Sequence, residues 1–76
     1  METDNSTRAA WASGCIQTHA FATRSQGEDS ATQARDLVGN VWHFLRLECG
    51  MTPEGATAQI EMALDMARQE YREDRD

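Results

Sequence analysis

The large apolar side chains of this 76-residue chain are concentrated in one short segment. Residues 37–51 contain eight of them: Leu37, Val38, Val41, Trp42, Phe44, Leu45, Leu47 and Met51. Several recur at the spacing of one helix face, together with Ala34 and Cys49. A chain of this length buries only a thin core, so a monomer cannot hide this much apolar surface in one segment. We therefore expect the chain to associate with itself or with a partner.

Signals for both ends of a helix bracket this segment, and they predict a helix over residues 30–49. Ser30 is a suitable N-cap residue, and Gln33, three positions later, fits a capping box. Gly50 is the type of residue that commonly ends a helix in a left-handed conformation. The sequence therefore predicts the two ends of this helix as well as its apolar face.

A further helix is predicted over residues 53–72. Thr52 is the predicted N-cap and Pro53 the first helical residue, while Glu54 suits the positive end of the helix dipole. One apolar face contains Ala56, Ile60, Ala63, Leu64, Ala67 and Tyr71, and a second stripe beside it contains Met62 and Met66. The short connection after residue 49 predicts an antiparallel helical hairpin. Two such hairpins would form a homodimeric helical bundle.

The N-terminal segment is alanine-rich and predicts a less certain helix from about Thr7 to Arg24. Its apolar stripe is Trp11, Cys15 and Ala22. A break near Gly14, or a short strand over residues 16–22, is the alternative, and Gly27 is the predicted stop. We expect an all-α fold with residues 1–76 as one small domain, frayed at 1–6 and 73–76.

The formal net charge of −6 comes from 13 acidic residues against seven arginines. This balance argues against non-specific binding to nucleic acid, which depends on neutralising phosphates, and against anionic membranes. No apolar run is long enough to cross a membrane, and the polar N-terminus does not have the pattern of a signal peptide. We expect a soluble cytoplasmic protein. Its two cysteines are expected to be reduced and packed as small apolar groups.

Catalysis is not expected. Cys15 and His19 are four residues apart and share a helix face, but no nearby carboxylate is placed to orient the histidine. The same two residues, with His43 and Cys49, have the wrong spacing for a zinc site. We therefore expect no enzymatic activity, no metal and no cofactor.

The stretch around the second connection resembles a helix-turn-helix over about twenty residues. Gly50 is at the turn, and apolar residues occupy the expected positions: Leu45, Cys49, Met51 and Ala56. The pattern departs at Arg46, where a small residue is preferred, and at Gln59, where an apolar one is expected. The resemblance implies a DNA-binding regulator, yet the would-be recognition helix presents Glu54 and Glu61, which would repel phosphates.

An interaction surface is the remaining interpretation of the apolar residues. Aromatic residues and methionines are favoured where a protein grips a partner. The residues expected at a partner-binding site or dimer seam are Trp42, Phe44, Leu45, Leu47, Met62 and Met66. The expected acidic surface contains Glu48, Glu54, Glu61 and Asp65.

The sequence thus predicts a small acidic protein-binding regulator or inhibitor that covers a surface of a larger protein. Phage and mobile-element proteins of similar size and charge, such as anti-CRISPR counter-defence inhibitors, act in this way. By this analogy of size and composition, we expect that the protein is an inhibitor of that kind. The alternatives are an acidic mimic of nucleic acid, occupying the basic groove of a nucleic-acid-handling complex, or a weak helix-turn-helix DNA-binding regulator.

Overall fold

The computed structural model describes residues 3–74, and helices are the regular secondary structure found there. The first helix, α1, spans Asn5–Thr23; α2 spans Ser30–Leu47; α3 spans Pro53–Asp74. The expectation of an all-α fold is confirmed. The chain divides into two compact units, residues 1–40 and residues 41–76, and α2 contributes to both. Each unit is described by itself below.

Helix α1 is continuous, so the predicted break near Gly14 and the alternative strand over residues 16–22 are both wrong. Alanine-rich sequence favours helix strongly enough to carry a single glycine. The helix starts at Asn5, two residues before the predicted start. Asp4 is the N-cap, and its Oδ1 accepts a hydrogen bond from the Thr7 amide at 2.8 Å. That hydrogen bond lowers the pKa of the Asp4 carboxyl.

The end of α1 is set by Arg24 rather than by Gly27. Arg24 has φ 59° and ψ 39°, and its amide donates to the carbonyls of Ala20 and Phe21. The Ser25 amide adds a hydrogen bond to the Ala20 carbonyl at 2.8 Å. A non-glycine residue in the left-handed region is uncommon, and these carbonyl contacts hold it there.

The packed face of α1 is not the predicted one. Ala20 is buried and Ile16 is half-buried, whereas Trp11, Cys15 and Ala22 are exposed. A stripe of alanines has little amphipathic contrast, so the large Trp11 side chain was a poor guide to which face is covered.

The start of α2 also differs in detail from the prediction. Asp29, not Ser30, is the N-cap, because its Oδ1 accepts from the Thr32 amide at 2.8 Å. Gln33 therefore does not form a capping box. Its Nε2 instead lies within hydrogen-bonding distance of three loop carbonyls, those of Ser25, Gln26 and Glu28, at 2.9, 3.2 and 3.0 Å. One amide thus secures the α1–α2 connection.

The connection from α2 to α3 follows the prediction more closely. Gly50 has φ 69°, and the Met51 amide donates to the Leu45 carbonyl at 3.1 Å. The Thr52 Oγ1 accepts from the Gly55 amide at 3.1 Å, which confirms Thr52 as the N-cap of α3. Helix α2 ends at Leu47, two residues early, since Glu48 and Cys49 form a turn.

The terminal residues expected to fray lie partly outside the described range. Residues 1–2 and 75–76 are not described. Of the rest, Asn5 and Ser6 belong to α1, while Glu73 and Asp74 belong to α3, which runs two residues past its predicted end.

Very little of the described chain is buried. Ala20 and Ala56 are the buried apolar residues, at 2% and 0% exposure, and α2 buries none. The large apolar side chains left exposed are Trp11, Phe21, Val38, Val41, Phe44, Leu47, Met62, Leu64, Met66 and Tyr71. An amphipathic helix normally hides its apolar stripe, so the exposed stripe of α2 is available for a contact with another molecule.

Candidate functional site

Trp42 makes its side-chain contacts within the unit of residues 41–76. Its Nε1 donates to the Thr57 Oγ1 at 3.1 Å, which ties α2 to the start of α3. The Arg46 guanidinium lies 5.7 Å from the indole centroid, and His43 meets the indole edge-on at 5.2 Å. Both Trp42 and Arg46 are half-buried. The indole is therefore an internal contact of this unit, on the side of α2 that faces α3.

Phe44 and Leu47 lie on a different side of α2. Each helical residue advances about 100°, so Phe44 is about 200° around the helix from Trp42. Phe44 is 55% exposed and Leu47 is 74% exposed, and Val41, at 40%, continues the line at a spacing of three residues. These three side chains form what we call the α2 ridge, whereas Leu45 is half-buried. The expected site residues thus fall on two sides of the helix.

The two methionines of α3 are exposed, Met62 at 56% and Met66 at 62%. They are four residues apart and share a face. Leu64 and Tyr71 are exposed on the other side of the helix, at 51% and 58%. Helix α3 therefore presents apolar groups on two separate lines.

The acidic surface is confined to exposed positions: Glu48, Glu54, Glu61 and Asp65. Glu54 and Glu61 line a shallow hollow of about 340 Å³ with Pro53, Thr57 and Ala58. Asp65 is paired with Arg68 at 3.0 Å. Glu54, Glu61 and Asp65 thus follow the solvent side of α3 between its two apolar lines, whereas Glu48 lies in the turn after α2.

The Cys15 and His19 pair does not form an aligned nucleophile and base in the described contacts. Cys15 is exposed. His19 Nε2 lies 2.8 Å from Asn40 Nδ2. If this amide nitrogen donates, Nε2 accepts and the imidazole proton is on Nδ1, which is buried without a hydrogen-bond partner. The lone pair that a general base needs is then occupied by Asn40.

Within residues 3–74, no cluster of three histidine, cysteine, aspartate or glutamate side chains is placed to hold a metal ion. Cys49 is exposed, as is Cys15, so the expectation that both thiols pack in a core is wrong. Sequence periodicity places both thiols on apolar stripes, but those stripes remain uncovered at these two points.

No family model, no curated protein and no solved structure matches this chain. The fold therefore defines the class: a small acidic protein whose described residues form three helices. None of those helices combines the length and apolar character that crossing a membrane requires.

Sequence reasoning named most of the exposed apolar groups but did not separate them by face. It missed Val41 as a member of the α2 ridge, although its spacing of three from Phe44 was available. It also missed Asn40 as the partner of His19, because residues 21 positions apart on different helices carry no local signal of contact.

Proposed function

We propose that this protein is a small regulator or inhibitor that acts by binding a larger protein, with no chemistry of its own. One observation carries the proposal: ten large apolar side chains are at least 40% exposed, while the buried apolar residues of the described chain are two alanines. Exposed apolar groups in such number favour an interaction surface over a self-sufficient core.

The α2 ridge is the part of this surface that best suits a protein partner. Phe44 and Leu47 project from a regular helix, so little backbone entropy is lost when they are covered. Trp42 suits the role of anchor less well, because its N–H is already bonded to Thr57. An apolar helix line entering a groove on a larger protein is a common mode of recognition.

The charge distribution favours a protein partner over duplex DNA. Helix α3 would be the recognition helix of a helix-turn-helix, yet its exposed first turns carry Glu54 and Glu61. Carboxylates facing phosphates repel them, and the chain as a whole has a net charge of −6. A partner with a basic rim around an apolar groove would instead be attracted.

The acidic mimic is the second candidate, and the hollow on α3 favours it. Glu54 and Glu61 line this hollow from the same helix, about 10 Å apart along its axis. Asp65 adds less to the negative potential, because Arg68 neutralises it at 3.0 Å. An inhibitor of a nucleic-acid-handling complex, of the anti-CRISPR type, would be one form of this role.

An affinity capture from nuclease-treated source-cell lysate, followed by mass spectrometry, tests the proposal. The bait is the whole chain, and the comparison is between Phe44→Ala and Phe21→Ala, since both phenylalanines are exposed on helices. The proposal predicts one stoichiometric protein that survives nuclease and the Phe21 change but is lost with Phe44→Ala. Equal capture by both variants contradicts a role for the α2 ridge.

Salt and competitor nucleic acid then separate the two candidates. Binding by an acidic mimic weakens steeply as salt rises and is displaced by DNA or RNA. Binding through the α2 ridge weakens much less with salt, because its apolar part is not screened, and it is not displaced by DNA or RNA.

A further inference from the structure

We propose that one apolar line of α3, formed by Ile60, Leu64, Ala67 and Tyr71, is the seam of an antiparallel homodimer. The occupant of this face is a second copy of the same chain, with its α3 running in the opposite direction. This seam is distinct from the α2 ridge, so it goes beyond the proposed function and does not depend on it.

The length of α3 is the first argument. With 22 residues, α3 is about 33 Å long. Ala56, in its first turns, is buried. From residue 61 to residue 69, in contrast, every side chain of α3 is exposed, so this stretch of the helix is uncovered.

The spacing of the uncovered apolar residues is the second argument. Ile60, Leu64, Ala67 and Tyr71 follow one another at intervals of four, three and four residues. This is the alternating interval of a two-stranded coiled coil, in which such residues form the seam. Leu64, Ala67 and Tyr71 are exposed, and Ile60 is half-buried.

Side-chain size favours the antiparallel pairing. With a two-fold axis between Leu64 and Ala67, each Leu64 meets Ala67 of the second copy. Each Ile60 then meets Tyr71 of the second copy. Every layer joins a larger side chain to a smaller one, which fills a helix interface more evenly than like-with-like layers would.

Charge complementarity fixes the register. Glu61 and Arg68 flank the apolar line on the same side, each one position after a seam residue. In the antiparallel dimer, Glu61 of each copy faces Arg68 of the other, so two opposite-charge pairs form. Arg68 and Asp65 are 66% and 75% exposed, so the Arg68 guanidinium can be shared between Asp65 and the incoming carboxylate.

A parallel dimer lacks this match. There, Glu61 would lie opposite Ala56 and Arg68 opposite Ala63, so neither charge would find a partner at the flanking positions. Glu61 and Arg68 therefore favour the antiparallel dimer over the parallel one.

The seam contains about two heptads, so the dimer is expected to be weak and concentration-dependent. The net charge of −6 on each copy adds repulsion over longer distances. Added salt screens this repulsion and should not dissociate the dimer.

Two charge reversals, measured by sedimentation equilibrium on the purified full chain, test the proposal. Glu61→Arg places arginines opposite each other at both cross-pairs, and Arg68→Glu places glutamates opposite each other. Each variant should dimerise about tenfold more weakly than the wild type, since two exposed ion pairs become repulsive. An equimolar mixture of the two variants should form a heterodimer, because it relieves the repulsion present in each variant's own dimer.

Matched variants control for net charge. Glu73→Arg makes the same charge change as Glu61→Arg on the side of α3 away from the seam, and Arg35→Glu on α2 makes the same charge change as Arg68→Glu. Both variants should dimerise like the wild type. Circular dichroism checks that each variant keeps its helices.

A wild type that stays monomeric over the whole concentration series overturns the dimer. A dimer whose two reversed variants do not recombine overturns the antiparallel register. Neither result bears on partner capture by the α2 ridge, whose residues are unchanged in all of these variants.

Discussion

At the scale of single residues, the ends of the helices depend on a few polar side chains. Asp29 and Ser30 are both good N-cap residues, and sequence alone does not decide between neighbours. The choice is made by the path of the connection, where Gln33 binds carbonyls of the incoming loop. The sequence therefore predicted that a helix begins here, but misplaced the residue that caps it.

Asp29 gives a pH-dependent prediction. The hydrogen bond from the Thr32 amide lowers the pKa of its carboxyl below the ordinary value of 3.8. The carboxylate therefore stabilises α2 fully above the unfolded pKa, and this stabilisation is lost as the pH falls through the lower folded pKa. Asp29→Ala should reduce helicity at neutral pH, as followed by circular dichroism.

Asp29→Asn is the matched control for that experiment. Asparagine also caps helices but does not titrate, so it should keep most of the helicity at neutral pH. The difference between wild type and Asp29→Asn should shrink as the solution is acidified. A difference that grows on acidification would show that the carboxylate is not the stabilising form.

Trp42 gives a second residue-scale prediction. Trp42→Phe removes the indole N–H that Thr57 accepts, while keeping an aromatic ring. The free energy of unfolding in urea should fall by about 1 kcal/mol, as for a typical hydrogen bond. Thr57→Ser retains the hydroxyl and should cost less than Thr57→Val. If Trp42→Phe instead left stability unchanged and abolished partner capture, Trp42 would be the anchor of the interaction surface.

At the scale of elements, the quality of prediction followed the strength of the local pattern. The start of α3 was predicted residue by residue, because Thr52, Pro53 and Gly50 each favour one backbone conformation. The covered face of α1 was predicted wrongly. Alanines lie on all sides of that helix, so the sequence pattern does not mark one face as apolar. The packing of Ile16 and Ala20 decides which face is buried.

Two glycines provide a matched test of element ends. Gly50 has φ 69°, a conformation that costs an alanine about 1 kcal/mol. Gly39 lies inside α2 with open space around it, so Gly39→Ala should stabilise by about 0.5–1 kcal/mol. Urea unfolding should therefore shift in opposite directions for Gly50→Ala and Gly39→Ala. A shift in the same direction would contradict the left-handed turn.

Two alanines of α3 test where that helix is covered. Ala56 has no exposed surface, whereas Ala58, two residues on, is exposed. Ala56→Leu should destabilise the protein by about 1–3 kcal/mol through overpacking. Ala58→Leu should be nearly neutral, because leucine is a good helix former at an open position. Equal effects in thermal unfolding would show that the first turns of α3 are not packed.

At the scale of the whole molecule, we expected more apolar surface than one core can hide. The exposed large apolar side chains agree with that expectation. The composition was enough for that inference. It was not enough to separate Trp42, which is bonded to Thr57, from Phe44 and Leu47, which face outward. That separation depends on the angle at which two helices meet, and residue types do not encode it locally.

Calorimetric titration of the purified partner into the whole chain tests the claim that the α2 ridge binds a protein. Binding through the ridge should give a negative heat-capacity change, the sign of apolar burial. Affinity should be at least about tenfold weaker for Phe44→Ala and unchanged for Phe21→Ala. Equal affinity for the two variants, or binding without a heat-capacity change, would contradict the claim.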